Sequence, residues 1–286
     1  MDMLKQVRVS IVIPVYNEAA HLPACLDAIA AQTIRPYEVI VVDNNSTDGS
    51  AELAGAYDFV TVVHENRQGV VHARNLGFNT ATGDVIGRID ADTNLATDWV
   101  QTVQVLFDDT ELDAVSGAVS YHDLPWKYFL SKLDLTFRSW IASGMGDEVF
   151  LFGSNMALRR SAWLKVRNSV CSAKGMHEDF DLAIHLHGIG CSVTFDRRLQ
   201  AEVSLRRFNT SLQEYWHYVW LSPETYRMHG RVAHRRMYPV VALVVSHYWL
   251  IKLLLLSYDP HERTIAFRNL WLQRAAVRVD PTSYVD

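Results

Sequence analysis

The sequence predicts an α/β protein with a largely parallel central sheet and a helical appendage at its C-terminal end. Two observations predict the sheet. Short β-branched runs alternate with helical stretches through the N-terminal half. Those runs are continuously apolar, the mark of strands buried on both faces. The bulk composition agrees. With 286 residues, 49% hydrophobic and 21% charged, the chain can bury a large core and is too apolar for a disordered segment. The reading divides it into residues 1–210, the α/β domain, and residues 211–286, the helical region.

Val7–Pro14 is the first strand, a β-branched run ended by Pro14. A helix follows over Leu22–Thr33, with Pro23 tolerated in its first turn. Glu38–Asp43 is the second strand. Asp48 or Ser50 caps a helix running to Tyr57. Val60–Glu65 is the third strand and Val70–Ala81 the third helix. The turn Ala81–Asp84 leads into strand Val85–Asp90, and Thr97 caps a helix over Asp98–Asp108. Further on, Met156–Leu158 reads as strand, Ser161 as the cap of the next helix, and Ala201–Leu205 as another strand. Ligands of such sheets bind beyond the carboxyl ends of the strands. Those ends carry Tyr16, Asp43, and Asp90 with Asp92.

Charge is uneven. Residues 1–120 carry a balance of −11 and residues 197–236 a balance of +5, within a total of −5. The net acidity argues against coating nucleic acid, which needs a basic surface. An acidic half and a basic stretch can face each other across an anionic, metal-bearing ligand, or be two ordinary solvated surfaces. The three cysteines, Cys25, Cys171 and Cys191, are widely spaced. They offer no disulfide framework and no paired-Cys zinc site, which points to a reducing compartment. The N-terminal MDMLKQVRVS lacks the apolar core of a signal peptide. G-x-G-x-x-G, P-loop and H-E-x-x-H motifs are absent.

Asp90-Ala91-Asp92 follows a strand and leads into a turn. Two carboxylates so placed can converge on one hard cation, Mg²⁺ or Mn²⁺, and leave positions for phosphate oxygens. Asp43 opens D-N-N-S-T-D-G-S, in which Ser46 to Ser50 form a turn while Asp43 faces a ligand. A second acidic cluster, His177-Glu178-Asp179-Phe180-Asp181, reads as a helix first turn, where acids are favoured.

Five motifs stand in order: P-V-Y-N-E (Pro14–Glu18), V-V-D-N-N-S-T-D-G-S (Val41–Ser50), A-R-N-x-G (Ala73–Gly77), A-T-G-D (Ala81–Asp84) and D-A-D. They are followed by G-S-N-M-A-L-R-R (Gly153–Arg160) and H-E-D-F-D-L (His177–Leu182). Together, over about residues 7–210, they resemble the family 2 glycosyltransferases, which have the GT-A fold. The resemblance implies an inverting enzyme that moves one sugar from a nucleotide-diphosphate donor, UDP- or GDP-linked, to a hydroxyl acceptor with Mn²⁺ or Mg²⁺. Pro14, Val15, Tyr16 and Asp43 would surround the base, with Glu18 near the ribose. Arg74 would reach base or phosphates, Asp90 ribose or metal, and Asp92 the metal. Asp179 would be the general base, with Glu178 and Asp181 orienting it or binding acceptor. His177 would be an acceptor ligand or a structural residue. Gly153 would let backbone approach the sugar, Asn155 would hydrogen-bond sugar hydroxyls, and Arg206 or Arg207 would approach the diphosphate. The Q-x-x-R-W motif of processive synthases is missing, which favours single-sugar transfer. A nucleotidyltransferase would want a Gly-rich basic loop where Val15–Glu18 stands. A non-catalytic binding or scaffold protein on the same fold is the other alternative.

Val240–Leu256 is apolar but interrupted by His247 and Lys252, and is shorter than the roughly 20 residues of a bilayer span. Arg231, Arg235, Arg236 and Arg263 flank it, and Tyr238, Tyr248, Trp249 and Tyr258 fit an interface. Trp126–Ile141 is a second amphipathic stretch. The expectation is a cytoplasmic protein resting on the inner membrane face, with a polyprenyl-linked acceptor. A buried core helix or a dimer contact are the alternatives.

Overall fold

The computed structural model describes residues 6–121, 136, 139, 149–173, 175–204, 206, 210–259 and 264–265. Arg207, Leu205 and most of Trp126–Ile141 lie outside them.

The chain runs β1 (Val9–Val15), α1 (Leu22–Ala30), β2 (Glu38–Asp43), α2 (Ser50–Gly55), β3 (Val60–His64), α3 (Val70–Thr80), β4 (Val85–Arg88), β5 (Asn94–Leu95), α4 (Trp99–Leu106) and β6 (Ala114–Tyr121). Then come β7 (Met156–Arg159), α5 (Arg160–Val166), α6 (Glu178–Gly188), β8 (Val193–Val203), α7 (Leu212–Met228), α8 (His234–Ser257) and a short hairpin, β9 (Tyr258–Asp259) with β10 (Thr264–Ile265).

The sheet order is β3-β2-β1-β4-β7-β6-β8-β5. β1 to β4, β6 and β8 point one way; β7 and β5 run against them. Alternation along the strands feeds two cores. Val12, Ile40 and Val42 enter one with Phe78, Trp163 and Leu182. Ile11, Ile13, Val39 and Val41 enter the other with Leu26, Trp99 and Val103. A period of two divides each strand between the faces, which explains why the runs read as uninterrupted apolar sequence.

The first four strands and first three helices lie where the sequence predicts, within a few residues. Three expectations fail. Thr97 does not cap α4: Asp98 is the N-cap residue, without a side-chain bond. Ser161 lies inside α5, whose N-cap position is Arg159. β8 spans Val193–Val203 rather than Ala201–Leu205. Its first half is only partly buried and carries Asp196-Arg197-Arg198, so hydrophobicity does not signal it. Neighbouring β6 holds it through a ladder that slips between Gly117 and Ala118.

Ser211 caps α7 in a reciprocal capping box with Glu214. Tyr226, Met237 and Val240 of the C-terminal helices join the same core as Phe180 and Leu182. The apolar run Val240–Leu256 therefore belongs to a longer helix that packs along α7, with Val241 and Tyr248 buried. Lys252, which interrupts the run, donates to the Thr210 carbonyl at 2.8 Å and to Tyr248 Oη at 2.7 Å; Tyr248 donates to the same carbonyl. Among the described residues no helix is long and apolar enough to cross a membrane.

Candidate active site

The site forms where β1, β2 and β4 end. Past β1 the chain turns through Asn17, at φ 53°, a conformation Asn tolerates better than most residues. The Asn17 amide donates to Ser46 Oγ, Glu18 to Ser50 Oγ and Ala19 to Asp48 Oδ2, while Thr47 donates to Asn17 Oδ1 at 2.8 Å. Four polar side chains thus staple the P-V-Y-N-E loop to the N-S-T-D-G-S loop. Asp48 also accepts from the Ser50 amide at the start of α2. Asp43 closes β2 beside Val15 and His64 in register. Its carboxylate is buried, accepting from the Ser46 amide and meeting His64 Nδ1 at 3.2 Å. Pro14 and Tyr16 are half-buried and Val15 buried around it.

After β4, the D-A-D turn is tightened by Thr93 donating to the Asp90 carbonyl. Arg206 reaches over this turn. Its Nε donates to Asp92 Oδ2 at 2.8 Å, and its two terminal nitrogens hold Glu18 at 2.8 and 2.6 Å. Beneath them sits the buried Cys25 thiol. Burial pushes its pKa up, reinforced by Asp92, Asp90 and Glu18. All three carboxylates therefore act on one small volume, where Arg206 pairs with Asp92 and Glu18.

Asp179 lies in the first turn of α6. It accepts from the Gly153 amide on one oxygen and from the Phe180 amide on the other, both at 2.9 Å. Protein crowds it on nearly all sides, yet part of its surface stays open. Burial raises its pKa well above the ordinary carboxylate range, and the neighbouring Glu178 charge adds to the rise; Arg88 and the two amides oppose it.

Arg88, at the end of β4, joins the two regions. One terminal nitrogen meets Asp90 Oδ1 at 3.0 Å and Glu178 Oε1 at 2.9 Å. The D-A-D turn and the start of α6 are thereby tied edge to edge. Gly153 completes the corner: a Cβ there would overlap Arg88 Nη1. Sequence reasoning passed over Arg88. Its signal was an arginine inside an otherwise apolar strand, two residues before Asp90 and so on the same strand face.

Two expected contacts are corrected. Arg74 is fully buried and donates to the Glu178 carbonyl at 2.7 Å and to Asn75, with its ring neighbours Phe78 and Trp163 about it. It props the first turn of α6 from below, because its side chain leaves α3 toward the core rather than the strand ends. Asn155 is fully buried too. Its oxygen accepts from Trp99 Nε1 and its nitrogen donates to the Ala118 and Leu199 carbonyls, so no capacity faces a sugar. His177 is structural: its amide donates to Thr225 Oγ1 and its Nε2 to the Tyr218 carbonyl, fastening α7 to the start of α6. Gly153 acts through Asp179 and Arg88.

Residues 10–166 match the model of glycosyl transferase family 2. The chain belongs to that family. Among its relatives, a glycosyltransferase of Haloferax volcanii, AglE, is 37% identical over 120 residues, which is 40% of this chain and 40% of that one. The match thus spans less than half of that relative. The family 2 chain also superposes on a mannosyltransferase of Pyrobaculum calidifontis, solved in complex with GDP-Man and Mn²⁺, with a TM-score of 0.58 and 21% identity over 91% of this chain and 83% of the other. S. aureus TarS 1–349, solved with UDP-GlcNAc, gives a TM-score of 0.55 and 14% identity over 76% and 66%. At those identities the likeness is one of fold: the GT-A plan of the mixed α/β sheet, with helices at the C-terminus.

Proposed function

We propose that this chain is an inverting glycosyltransferase that moves one sugar from a UDP- or GDP-linked donor to a hydroxyl acceptor, with Asp179 as general base. The observation that carries the reading is an open-sided Asp179 of raised proton affinity, tied through Glu178, Arg88 and Asp90 to the carboxylates at the strand ends. A general base works best with a pKa near the working pH. Asp179 takes the acceptor hydroxyl proton as that oxygen bonds to the anomeric carbon. The carbon–oxygen bond to the diphosphate breaks on the opposite face, and the diphosphate leaves with the electron pair. Tyr16 offers a flat face to the base, and Asp43 an acceptor at its edge.

The D-A-D turn suits a divalent cation by its donor chemistry: Asp92 and Asp90 present hard carboxylate oxygens beside Glu18. Mn²⁺ or Mg²⁺ held there would neutralise charge on the diphosphate. Arg206 already offers a positive charge to Asp92 and Glu18, and swings to the diphosphate when the donor enters. Calorimetry tests this. UDP- or GDP-sugar binding should require Mn²⁺ in wild type and disappear in Asp92→Ala. Metal-independent binding unchanged by that substitution would reject the site, and binding without turnover across many acceptors would favour a scaffold.

The C-terminal helices support a peripheral position on anionic lipid, with a lipid-linked acceptor. Trp216 and Trp220 stack at 5.4 Å on the outside of α7, with Tyr238 5.8 Å beyond and exposed Arg235 and Arg236 on the next helix. Aromatic and basic side chains together are the usual means of interfacial binding. Flotation with anionic vesicles should be lost in Trp216→Ser/Trp220→Ser; wild type that stays at the bottom of the gradient rejects the idea.

A further inference from the structure

The face of α6 turned away from Asp179 carries a second cluster of ligating side chains, independent of the donor site. Asp181 lies two residues beyond Asp179, about 200° around the helix. His185 stands one turn after Asp181 on the same side. Cys171 comes from the loop between α5 and α6, and His229 from the end of α7. One donor atom from each of the four lies within 4.8 Å of all the others. Cys171 Sγ is 3.8 Å from His185 Nε2, His185 Nε2 is 3.4 Å from Asp181 Oδ1, and His229 Nε2 is 2.9 Å from the same oxygen. A tetrahedral ion with bonds of about 2.0–2.3 Å keeps its donor atoms roughly 3.3–3.6 Å apart. Small shifts of two imidazoles therefore admit one.

Charge also calls for a cation. Asp181 is fully buried, and among the described residues neither Lys nor Arg ion-pairs with it. Arg74 and Arg231 act electrostatically on the cluster as well. The Cys171 amide donates to Asp181 Oδ2 at 2.9 Å and fixes the carboxylate, as outer partners of metal ligands do. An open pocket of about 240 Å³, lined by Ile184, His185, Ile189, His229 and Arg231, gives an entry path.

We propose that Cys171, Asp181, His185 and His229 form a zinc site that clamps α6 to the loop before it and to the end of α7. The mixed thiolate, imidazole and carboxylate set suits Zn²⁺, whereas the all-carboxylate D-A-D turn suits Mg²⁺ or Mn²⁺. The clamp holds the helix that presents Asp179, without touching substrate. Purified full-length protein should carry about one zinc per chain by elemental analysis. Asp92→Ala should keep that zinc, so loss of the donor site and loss of this one are separable. Cys171→Ser and His229→Gln should each weaken zinc by roughly 100-fold or more, since losing even an outer partner costs about 10–100-fold. Cobalt exchanged into wild type should give tetrahedral visible bands and a near-ultraviolet thiolate band, the latter missing in Cys171→Ser. Wild-type protein that takes up neither ion on reconstitution, or zinc retained in both ligand variants, would overturn the proposal; the wild-type measurements stand even where a variant fails to fold.

Discussion

The protein has two acidic regions at the same end of its sheet, and each has one arginine. Arg206 is spread over Asp92 and Glu18 and spans both. Arg88 is divided between Asp90 and Glu178, so its direct contacts leave Asp179 out. In the first region one guanidinium faces two carboxylates, which leaves a net negative charge at the strand ends. In the second, the carboxylate beside the matched pair keeps a raised proton affinity. Burial and the adjacent Glu178 charge set Asp179 apart, and Arg88 opposes them only in part.

Replacing the odd carboxylate should have the largest effect. Asp179→Asn should lower turnover by about 10²–10⁴ while nucleotide-sugar affinity, read by calorimetry, stays within a few-fold. Near-normal turnover would remove Asp179 as the base and collapse the contrast between the regions.

Gly153→Ala attacks the contrast through Arg88. The new methyl displaces a guanidinium that is 4% exposed and held by Asp90 and Glu178. Forcing bulk into a packed site costs about 1–3 kcal/mol, visible in chemical denaturation. With Arg88 shifted, the brake on Asp179 weakens. The acid limb of the rate profile, already above the ordinary carboxylate range, should move to higher pH. An unchanged limb would mean that Arg88 does not tune the base.

The smallest effect sharpens the comparison. Glu178→Gln removes the neighbouring charge that raises Asp179. The base then loses its proton at lower pH, so the acid limb should move down while the maximal rate changes little. A limb that moves upward would show that Glu178 acts mainly by holding Arg88 in place.

Much of this was legible in the chain. The apolar runs announced β1, β2 and β4 because those strands are buried on both faces, while β3, a partly exposed edge strand, showed through its β-branched residues. P-V-Y-N-E, the Asp43 loop and D-A-D announced the strand-end carboxylates, since loops there need the turn-forming and acidic residues they contain. Other features depend on distant segments meeting. Arg74 and Asn155 sit in motifs that suggest ligand contact, but their partners, the Glu178 carbonyl and Trp99, come from elsewhere in the chain. β8 hides its strand character because half of it lies against solvent. The Cys171 cluster draws on three separate segments, and its only local trace is the one-turn spacing of Asp181 and His185.

Thr210 has a mechanical consequence. Its carbonyl is gripped by both Tyr248 and Lys252 of the long helix α8, a few residues along the chain from Arg206. Any tilt or slide of that helix must either snap two short bonds or drag Thr210 along. α8 thus anchors the backbone a few residues past Arg206, whose guanidinium lies over Asp92 and Glu18.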